Sequence, residues 1–497
     1  MGVVIKQSFW GTVIAYLGVL IGYVNTLYFR AEYFDLSQIG LFTLITANAM
    51  IISPISSFGT GSAYIKFFPH LSGNQKNQFF TLLLIITLIG NALIVGAGYL
   101  LSDVIAERYN ETAPNYIYFL PVTGMIIVAN SLFDLLYSYS RSIMKVIFPS
   151  FLRDIYIRIG SLTMVIGFAF QWWSFESAVF GLGIIYFSTF LLLFIHCSLD
   201  PSFKLDLKFR EVAKAWKKPF IRFGGYSMLL AGSFAVLNNV TYDQVTALLG
   251  PEMNGIFTTC VFIALIVEMP KRNMAKVMGP ILSTEFERNN LKEVGALYKR
   301  SSITMSVIGM LLFIGIVTNT NDLFNFIPKG NAFAEGYWVV VGVCLAKLVL
   351  MVSGFPGEII NFSVHYKYNV LFQIVAAAVL ILLNVTLIPI WGLNGAVFSY
   401  FIAITLHISM KVLFVYYRFQ IHPLVPAHLV LLVIGAITII IGELFQPGFH
   451  PLINIIIRSL VVSCILIMLV YRFKISTDIN TLIHSTFERF LKINLPK

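Results

Sequence analysis

A few charged side chains stand inside stretches that are otherwise apolar, and their chemistry sets the question. Lys347 is the deepest, with no other charge across 339–346 and 348–354. Arg158 lies one turn inside the apolar run 155–173, and Lys411 lies within 393–415. Arg30 ends the run 9–29, and Lys271, Arg272 and Lys276 follow Pro270. A cation in hydrocarbon costs about 2.5–3.5 kcal/mol on insertion scales, so such residues are few and used. Three uses are open: contact with an anion, snorkelling to the interface, or an internal ion pair. Arg30 has its own alternative, pairing with Glu32 or Asp35. Three carboxylates share the setting. Asp134 and Glu268 lie within apolar runs, and Glu358 follows Pro356-Gly357. A carboxyl group in a low dielectric holds a proton more readily, which suits ion coupling, above all at Glu268. Glu268 would serve equally as the charge partner of Lys271, Arg272 or Lys347. Pro54 and Pro270 interrupt their runs and are the candidate hinges.

The elements that carry these residues must be membrane helices. Of 497 residues, 58% are hydrophobic and only 11% charged, against about 25% charged in soluble domains. That excludes a soluble enzyme, a nucleic-acid-binding domain and a disordered chain. A crossing helix needs roughly 20 mostly apolar residues. Such runs occur at 9–29, 39–65, 79–101, 115–138, 155–173, 178–197, 221–242, 254–270, 302–320, 337–354, 370–388, 393–415, 424–444 and 452–471. The fold expected is therefore an all-α polytopic membrane protein with about 14 transmembrane helices. The first run is too long for a signal-peptide core and is expected to be retained.

Charge placement supports that count. With the amino terminus in the cytoplasm, inside segments hold 27 of the 34 Lys and Arg, outside segments hold four, and three lie within runs. This is the positive-inside bias, sustained along the chain, and it puts both termini in the cytoplasm. Between 198 and 220, Phe209, Val212, Ala213, Trp216 and Phe220 form one helical face, opposite Lys208, Arg210, Lys214, Lys217 and Lys218. That face reads either as an interfacial helix on the anionic inner leaflet or as a solvated linker. Ile479, Leu482, Ile483, Phe487, Phe490 and Leu491 mark a similar stripe in the tail. The four cysteines are far apart and show no metal or redox spacing.

The halves repeat. Gly40-Leu41-Phe42-Thr43 and Gly255-Ile256-Phe257-Thr258 are 215 positions apart, Pro54 and Pro270 are 216 apart, and the Trp173 and Trp391 segments are 218 apart. The offset spans six helices, so both halves share one orientation. The expected organisation is a six-helix lobe over 1–200, a basic interfacial linker over 201–220, and a second six-helix lobe over 221–420. Two further helices follow over 421–475, then a cytoplasmic tail over 476–497. The stretches 1–200 and 215–420 are expected to superpose by rotation about the membrane normal, with a cleft between the lobes.

On these residues the chain resembles the multidrug/oligosaccharidyl-lipid/polysaccharide (MOP) transporter superfamily, and within it the bacterial polysaccharide-unit flippases. The resemblance rests on Arg30, Ser37, Gly40, Gly59, Gly61 and Lys66, and on Pro389-Ile390-Trp391-Gly392-Leu393-Asn394-Gly395-Ala396. It implies a MATE-like architecture in the bacterial inner membrane. It also implies an undecaprenyl-diphosphate-linked oligosaccharide moved to the outer leaflet by alternating access. Under that implication Lys347, Arg272, Lys271, Arg158 and Arg30 are the candidate diphosphate contacts. Glu268, Asp134 and Glu358 are the candidate coupling carboxylates. No catalytic residue, metal or cofactor is expected, while coupling to H+ or Na+ stays open. The partners implied are the lipid-linked oligosaccharide, membrane lipids and other polysaccharide-assembly membrane proteins. A cation or drug antiporter of the same superfamily is the near alternative. It would want a carboxylate-led cavity. A membrane polymerase or acyltransferase is the alternative from another class, and it would want a catalytic constellation. The eight histidines are scattered, and no Asp-x-Asp occurs.

Overall fold

A computed structural model describes residues 2–493, with side chains described at Trp10 and from 13 to 485. Phe487, Phe490 and Leu491 of the tail stripe lie outside the described side chains. The described chain is helical with no strand, and 13 helices in it are long and apolar enough to cross a membrane. In chain order the crossing segments are α1 (Val13–Tyr33), α2 (Leu36–Ser57), α3 (Gln75–Leu100), α4 (Pro114–Ser142), α5 (147–169), α6 (Phe175–Ser198) and α7 (Arg210–Leu249). They continue as α8 (Pro251–Glu287), α9 (Leu291–Val317), α10 (Gly330–Val352), α11 (Lys367–Trp391), α12 (Leu393–Phe419), α13 (Ala427–Leu444) and α14 (Pro451–Arg472).

The helix α5, over the fifth apolar run, is not among those thirteen. It runs helically without a break, but Leu152–Tyr156 is wound as a π turn. Arg153, Asp154 and Arg158 load its first half with charge, so length and apolarity alone pass over it. A second difference concerns 201–220. This segment is not a separate interfacial helix, because residues from Arg210 onward continue straight into α7. Its apolar face is packed against protein rather than lipid. Val212 and Phe220 are buried among Phe67, Phe79 and Phe203, and Trp216 lies 4.9 Å from the Phe67 ring. Lys214, Lys217 and Lys218 stay exposed on the opposite face. An amphipathic stripe looks the same in sequence whether lipid or an aromatic cluster covers it.

The radial pattern is that of a membrane protein. Leu93, Leu382, Leu429 and Leu460, all inside crossing helices, are 60–69% exposed. Thr60, Thr246, Asn254, Ser302, Thr320, Asn384 and Thr438 are fully buried. In lipid, polar groups must find partners within the bundle, whereas apolar side chains can face outward without cost. The chain is a multi-pass membrane protein.

It divides into two compact units, Met1–Thr258 and Thr259–Lys497, with the boundary inside α8. In the first unit α2 packs against α4 and α7, and α4 packs against α6. The start of α8 also crosses α2 in this unit, through two glycines of the repeat. A Cβ on Gly40 would stand 1.7 Å from the Pro251 oxygen, and one on Gly255 would stand 2.1 Å from the Leu36 oxygen. Asn254 Nδ2 donates to the Gly40 oxygen at 3.0 Å across the same crossing. A polar chain closes one end of this unit. Arg108 and the Tyr109 hydroxyl both donate to Asp243, and Asn48 donates to the Tyr116 hydroxyl at 3.0 Å.

In the second unit α12 packs against α10 and α11, and α9 packs against α10, α13 and α14. Arg458 staples α14 in place. It donates to the Thr318 oxygen at 2.8 Å, to Asp322 at 2.5 Å and to the Phe445 oxygen at 2.9 Å. The charge count places Arg458 in an outside segment; the structure buries it, with its donors spent on α9, the turn after it, and the end of α13.

The Gly40–Gly255 crossing is testable. Gly40→Ala and Gly255→Ala should each lower stability by about 1–3 kcal/mol through overpacking. Gly225→Ala, where nothing lies within 4 Å of the added methyl, should be neutral or slightly stabilising. Thermal unfolding of the detergent-solubilised protein reads this out. Equal melting of Gly40→Ala and Gly225→Ala would show that the crossing is not tight.

Candidate functional site: carboxylates among cations

The expected site residues fall into two groups, one in each unit. In the second unit the organising feature is a break in α8. Pro270 has no N–H to donate, and its ring clashes with the carbonyl four residues earlier. The helix meets this by tightening Leu265–Glu268 into a 3-10 turn and restarting at Met269. Glu268 stands at the restart. Its carboxylate accepts from Lys347 of α10 at 2.6 Å and lies 3.7 Å from Arg272, one turn further along α8. The Lys347 side chain is 4% exposed, while that of Arg272 is 70% exposed. Tyr400 of α12 places its ring 5.6 Å from Lys347 Nζ. Lys347 is thus neither snorkelling nor bare. It is buried and committed to Glu268, and Arg272 is the open arm of the group.

Lys271, next in sequence to Arg272, turns elsewhere. It donates to the Leu350 oxygen at 2.5 Å and to Ser353 Oγ at 3.2 Å, capping the carboxyl end of α10. A cation there complements the free carbonyls and the negative helix end. Glu358 sits on the short helix Pro356–Phe362 just beyond. It lies within electrostatic reach of both Lys271 and Lys411 of α12. The structure therefore gathers Lys347, Arg272, Lys271, Lys411, Glu268 and Glu358 into one unit. The sequence places Lys411 within an apolar run but assigns it no role.

In the first unit the cations stand at, or just after, irregular turns. Asn25–Arg30 is a π turn at the end of α1, and the π turn of α5 ends one residue pair before Arg158. Arg30 donates to Ser161 Oγ of α5 at 2.8 Å and lies 4.4 Å over the Phe42 ring, a cation–π contact. Asn25 donates to the same hydroxyl at 3.2 Å. The Arg158 side chain runs along Gly18 and Gly22 of α1, and Tyr186 is within reach of both guanidinium groups. Single-turn π segments often mark functional places. Here they bring Arg30 and Arg158 of separate helices toward one tyrosine.

Asp134 lies on α4 in this same unit, 3.3 Å from Arg153, and both side chains are more than half exposed. It is not joined to Glu268 or Glu358 within one unit. Pro54 lies within α2, which ends at Phe58 and Gly59, both left-handed. The Pro54 break and the Pro270 break thus differ in form, the one a helix end and the other a tightened turn. The chain also contains one His-x-x-x-Asp spacing, His196 to Asp200. Its members part company: His196 packs on Phe148 at 4.5 Å, and Asp200 binds Lys145 at 2.6 Å. The Lys145 ammonium and the Ser202 hydroxyl together hold the Asp200 carboxyl well below the usual carboxylate range.

No family model matches this sequence, and no curated protein matches it. The fold is that of polytopic transporters. It is similar to the solved structure of the lipid II flippase MurJ in an inward closed conformation. The TM-score is 0.76 at 14% identity, covering 94% of this chain and 99% of that one. It is also similar to an inward-facing multidrug resistance MATE transporter of the MOP superfamily, with TM-score 0.65 at 12% identity, covering 82% of this chain and 94% of that one. A MOP superfamily transporter from Pyrococcus furiosus gives 0.57 at 11% identity, covering 84% and 95%. The all-helical transporter fold expected from the sequence is the one found.

The ion pair makes a stability prediction. Glu268→Ala strands Lys347 in the interior and should cost about 3–5 kcal/mol, as when one partner of a buried pair is removed. The double change Lys347→Met with Glu268→Ala should recover most of that loss. A double-mutant cycle on thermal unfolding measures it, and additive losses would show that the two side chains are not coupled.

Proposed function

We propose that this chain is an alternating-access flippase that carries an undecaprenyl-diphosphate-linked oligosaccharide across the bacterial inner membrane for polysaccharide assembly. Both termini are cytoplasmic in this reading, and the repeat halves 1–200 and 221–420 are the bodies whose rearrangement changes access. The observation that carries it is the sharing of Glu268 between Lys347 and Arg272. Two cations against one carboxylate leave a surplus positive charge, carried on the open arm at Arg272. Such a site suits an anionic cargo. The cation or drug antiporter alternative would want carboxylates in excess. The flippase solved with a similar fold acts on lipid II, a precedent for a lipid cargo.

The chemistry is exchange of partners, with no covalent step. With no cargo, Glu268 keeps Lys347 from standing bare in a low dielectric. An arriving diphosphate offers oxygens that compete with the carboxylate. Arg272 can grip them with two parallel N–H donors, and Lys347 acts as a point charge. Once the cargo leaves, the Lys347–Glu268 pair re-forms. Release from its cations also makes Glu268 the group at which a coupled proton would act, and Na+ coupling is the alternative. The sugar head would meet the buried asparagines and the aromatic side chains.

Flipping in reconstituted vesicles and surface polysaccharide in cells depending on this gene provide the test. Arg272→Ala and Lys347→Ala should abolish both while protein levels hold, and Arg272→Lys should keep part. Glu268→Gln should weaken transport more than Glu268→Asp. Normal transport by Lys347→Ala would discard the site. An imposed pH gradient without effect on the wild type would discard proton coupling alone.

A further inference from the structure

A cluster of charged and hydroxyl side chains in the first unit joins the two halves of the repeat. Asp243 stands near the end of α7, in the second repeat half. Its carboxylate accepts from two residues of the first half, Arg108 on one oxygen and the Tyr109 hydroxyl on the other. Both donors lie on the short helix Ser102–Tyr109, between α3 and α4. The chain of hydrogen bonds continues into α2. Asn48 donates to the Tyr109 oxygen at 3.4 Å and to the Tyr116 hydroxyl at 3.0 Å. The Tyr109 and Tyr116 rings meet edge to face, with centroids 4.8 Å apart. Thr112 Oγ1 adds a contact to the Ala247 oxygen at 3.4 Å.

Burial separates this cluster from a fixed staple. In the Arg458–Asp322 pair, which fixes α14, the side chains are 7% and 13% exposed. Here the Asp243 side chain is 14% exposed, but that of Arg108 is 52% exposed. Water reaches the guanidinium and can solvate it when the pair parts, so this arm costs little to open. Tyr109 and Tyr116 are buried, and their hydroxyls need partners. A phenol that accepts from Asn48 and donates to a carboxylate is polarised by both, and each bond strengthens the next. The cluster holds while it is assembled and weakens as a whole when one bond goes. In the orientation read from charge placement, the helix Ser102–Tyr109 and the end of α7 both lie at the outer face.

We propose that Asp243, Arg108 and Tyr109 form a latch that holds the end of α7 against the helix Ser102–Tyr109, and that its release admits an outward-open state. This rests on the reading of the chain as an alternating-access carrier, and deepens it by naming the contact that sets the balance between states. Asp243 is the central group, because it accepts from both donors. Arg108 is the arm that water releases, and Asn48 orients the Tyr109 hydroxyl. The crossing of Gly40 on Pro251 and of Gly255 on Leu36 joins the same two halves. That crossing is backbone against backbone and has no charge to exchange with water. The latch is therefore the adjustable contact of the two.

Double electron–electron resonance on the full chain in lipid nanodiscs tests this. Spin labels go on Glu111→Cys and Leu248→Cys, both exposed positions, with the exposed native Cys464 changed to serine. This background should show mainly a short distance. Asp243→Asn keeps the shape and removes the charge. It should raise the ratio of long to short distances roughly tenfold or more, as for losing a hydrogen bond to a charged group. Tyr109→Phe should shift the ratio the same way by less, and it keeps the test decisive if Asp243→Asn fails to fold. Asp243→Glu should keep most of the short population. Asp103→Asn, exposed on the same short helix, should change nothing. An unchanged ratio in Asp243→Asn and Tyr109→Phe, an equal shift in Asp103→Asn, or a background already at the long distance would overturn the latch. The readout needs no cargo, so those results would leave the flippase reading standing. A chain that shows the expected shifts yet flips no diphosphate-linked lipid would keep the latch and discard the flippase reading.

Discussion

A charge inside a membrane helix bundle has to be neutralised by something within reach. That single requirement arranges the second unit. The idealised cost of moving an ion from water to a medium of dielectric about 4 is of order 20 kcal/mol. No packing term in a helix bundle offsets that for several lysines at once. Lys347 is therefore held against Glu268, Lys271 is spent on the end of α10, and Arg458 is surrounded by the oxygens of Thr318, Asp322 and Phe445. The solutions differ in how final they are. Arg458 has its donors engaged with backbone and carboxylate together, and it reads as a staple. Lys347 has one carboxylate, which it shares with an arginine largely open to its surroundings. Only the second arrangement can be undone by a competing anion at modest cost.

Three departures from regular helix sit beside the charged site residues. The 3-10 turn before Pro270 ends on Glu268, the π turn of α1 ends on Arg30, and the π turn of α5 precedes Arg158. A regular α-helix repeats its faces every 3.6 residues. A tightened or widened turn shifts every side chain after it around the axis. Lys271 and Arg272 both follow the break on regular helix, where neighbours point about 100° apart, so they serve different partners. The proline explains the irregularity in α8, since it removes a donor and crowds a carbonyl. No residue type in Asn25–Arg30 or Leu152–Tyr156 explains theirs.

What the sequence shows and hides follows the same division. Apolar runs are sums over many residues, so they reveal the class of fold. Single contacts are not sums. Lys347 stands out by its depth, and Glu268 is among its conceivable partners, but 79 positions separate them and no periodicity joins them. The stripe at Val212, Trp216 and Phe220 is legible as amphipathic, yet the aromatic cluster that covers it comes from helices far away in the chain. Lys411 is visible within its run but receives no role from the sequence, because a lysine toward the end of a crossing run looks like ordinary snorkelling. Only the folded chain shows it beside Gly357, with Glu358 nearby.

An uneven ratio of cations to carboxylates has a further consequence. A balanced pair satisfies itself and resists any ligand, because an arriving anion must repay the whole attraction it breaks. Cations with no carboxylate would bind an anion strongly, but they would leave the empty carrier with bare charges in a low dielectric. One carboxylate between two cations lies between these limits. The empty state is tolerable because no cation is far from a negative group, and the loaded state is favoured because one charge is always uncompensated. A carrier has to pass through both states in every cycle, so neither can be much deeper than the other. On the proposed reading of the chain as a carrier, the arrangement around Glu268 would meet that demand with side chains from α8 and α10.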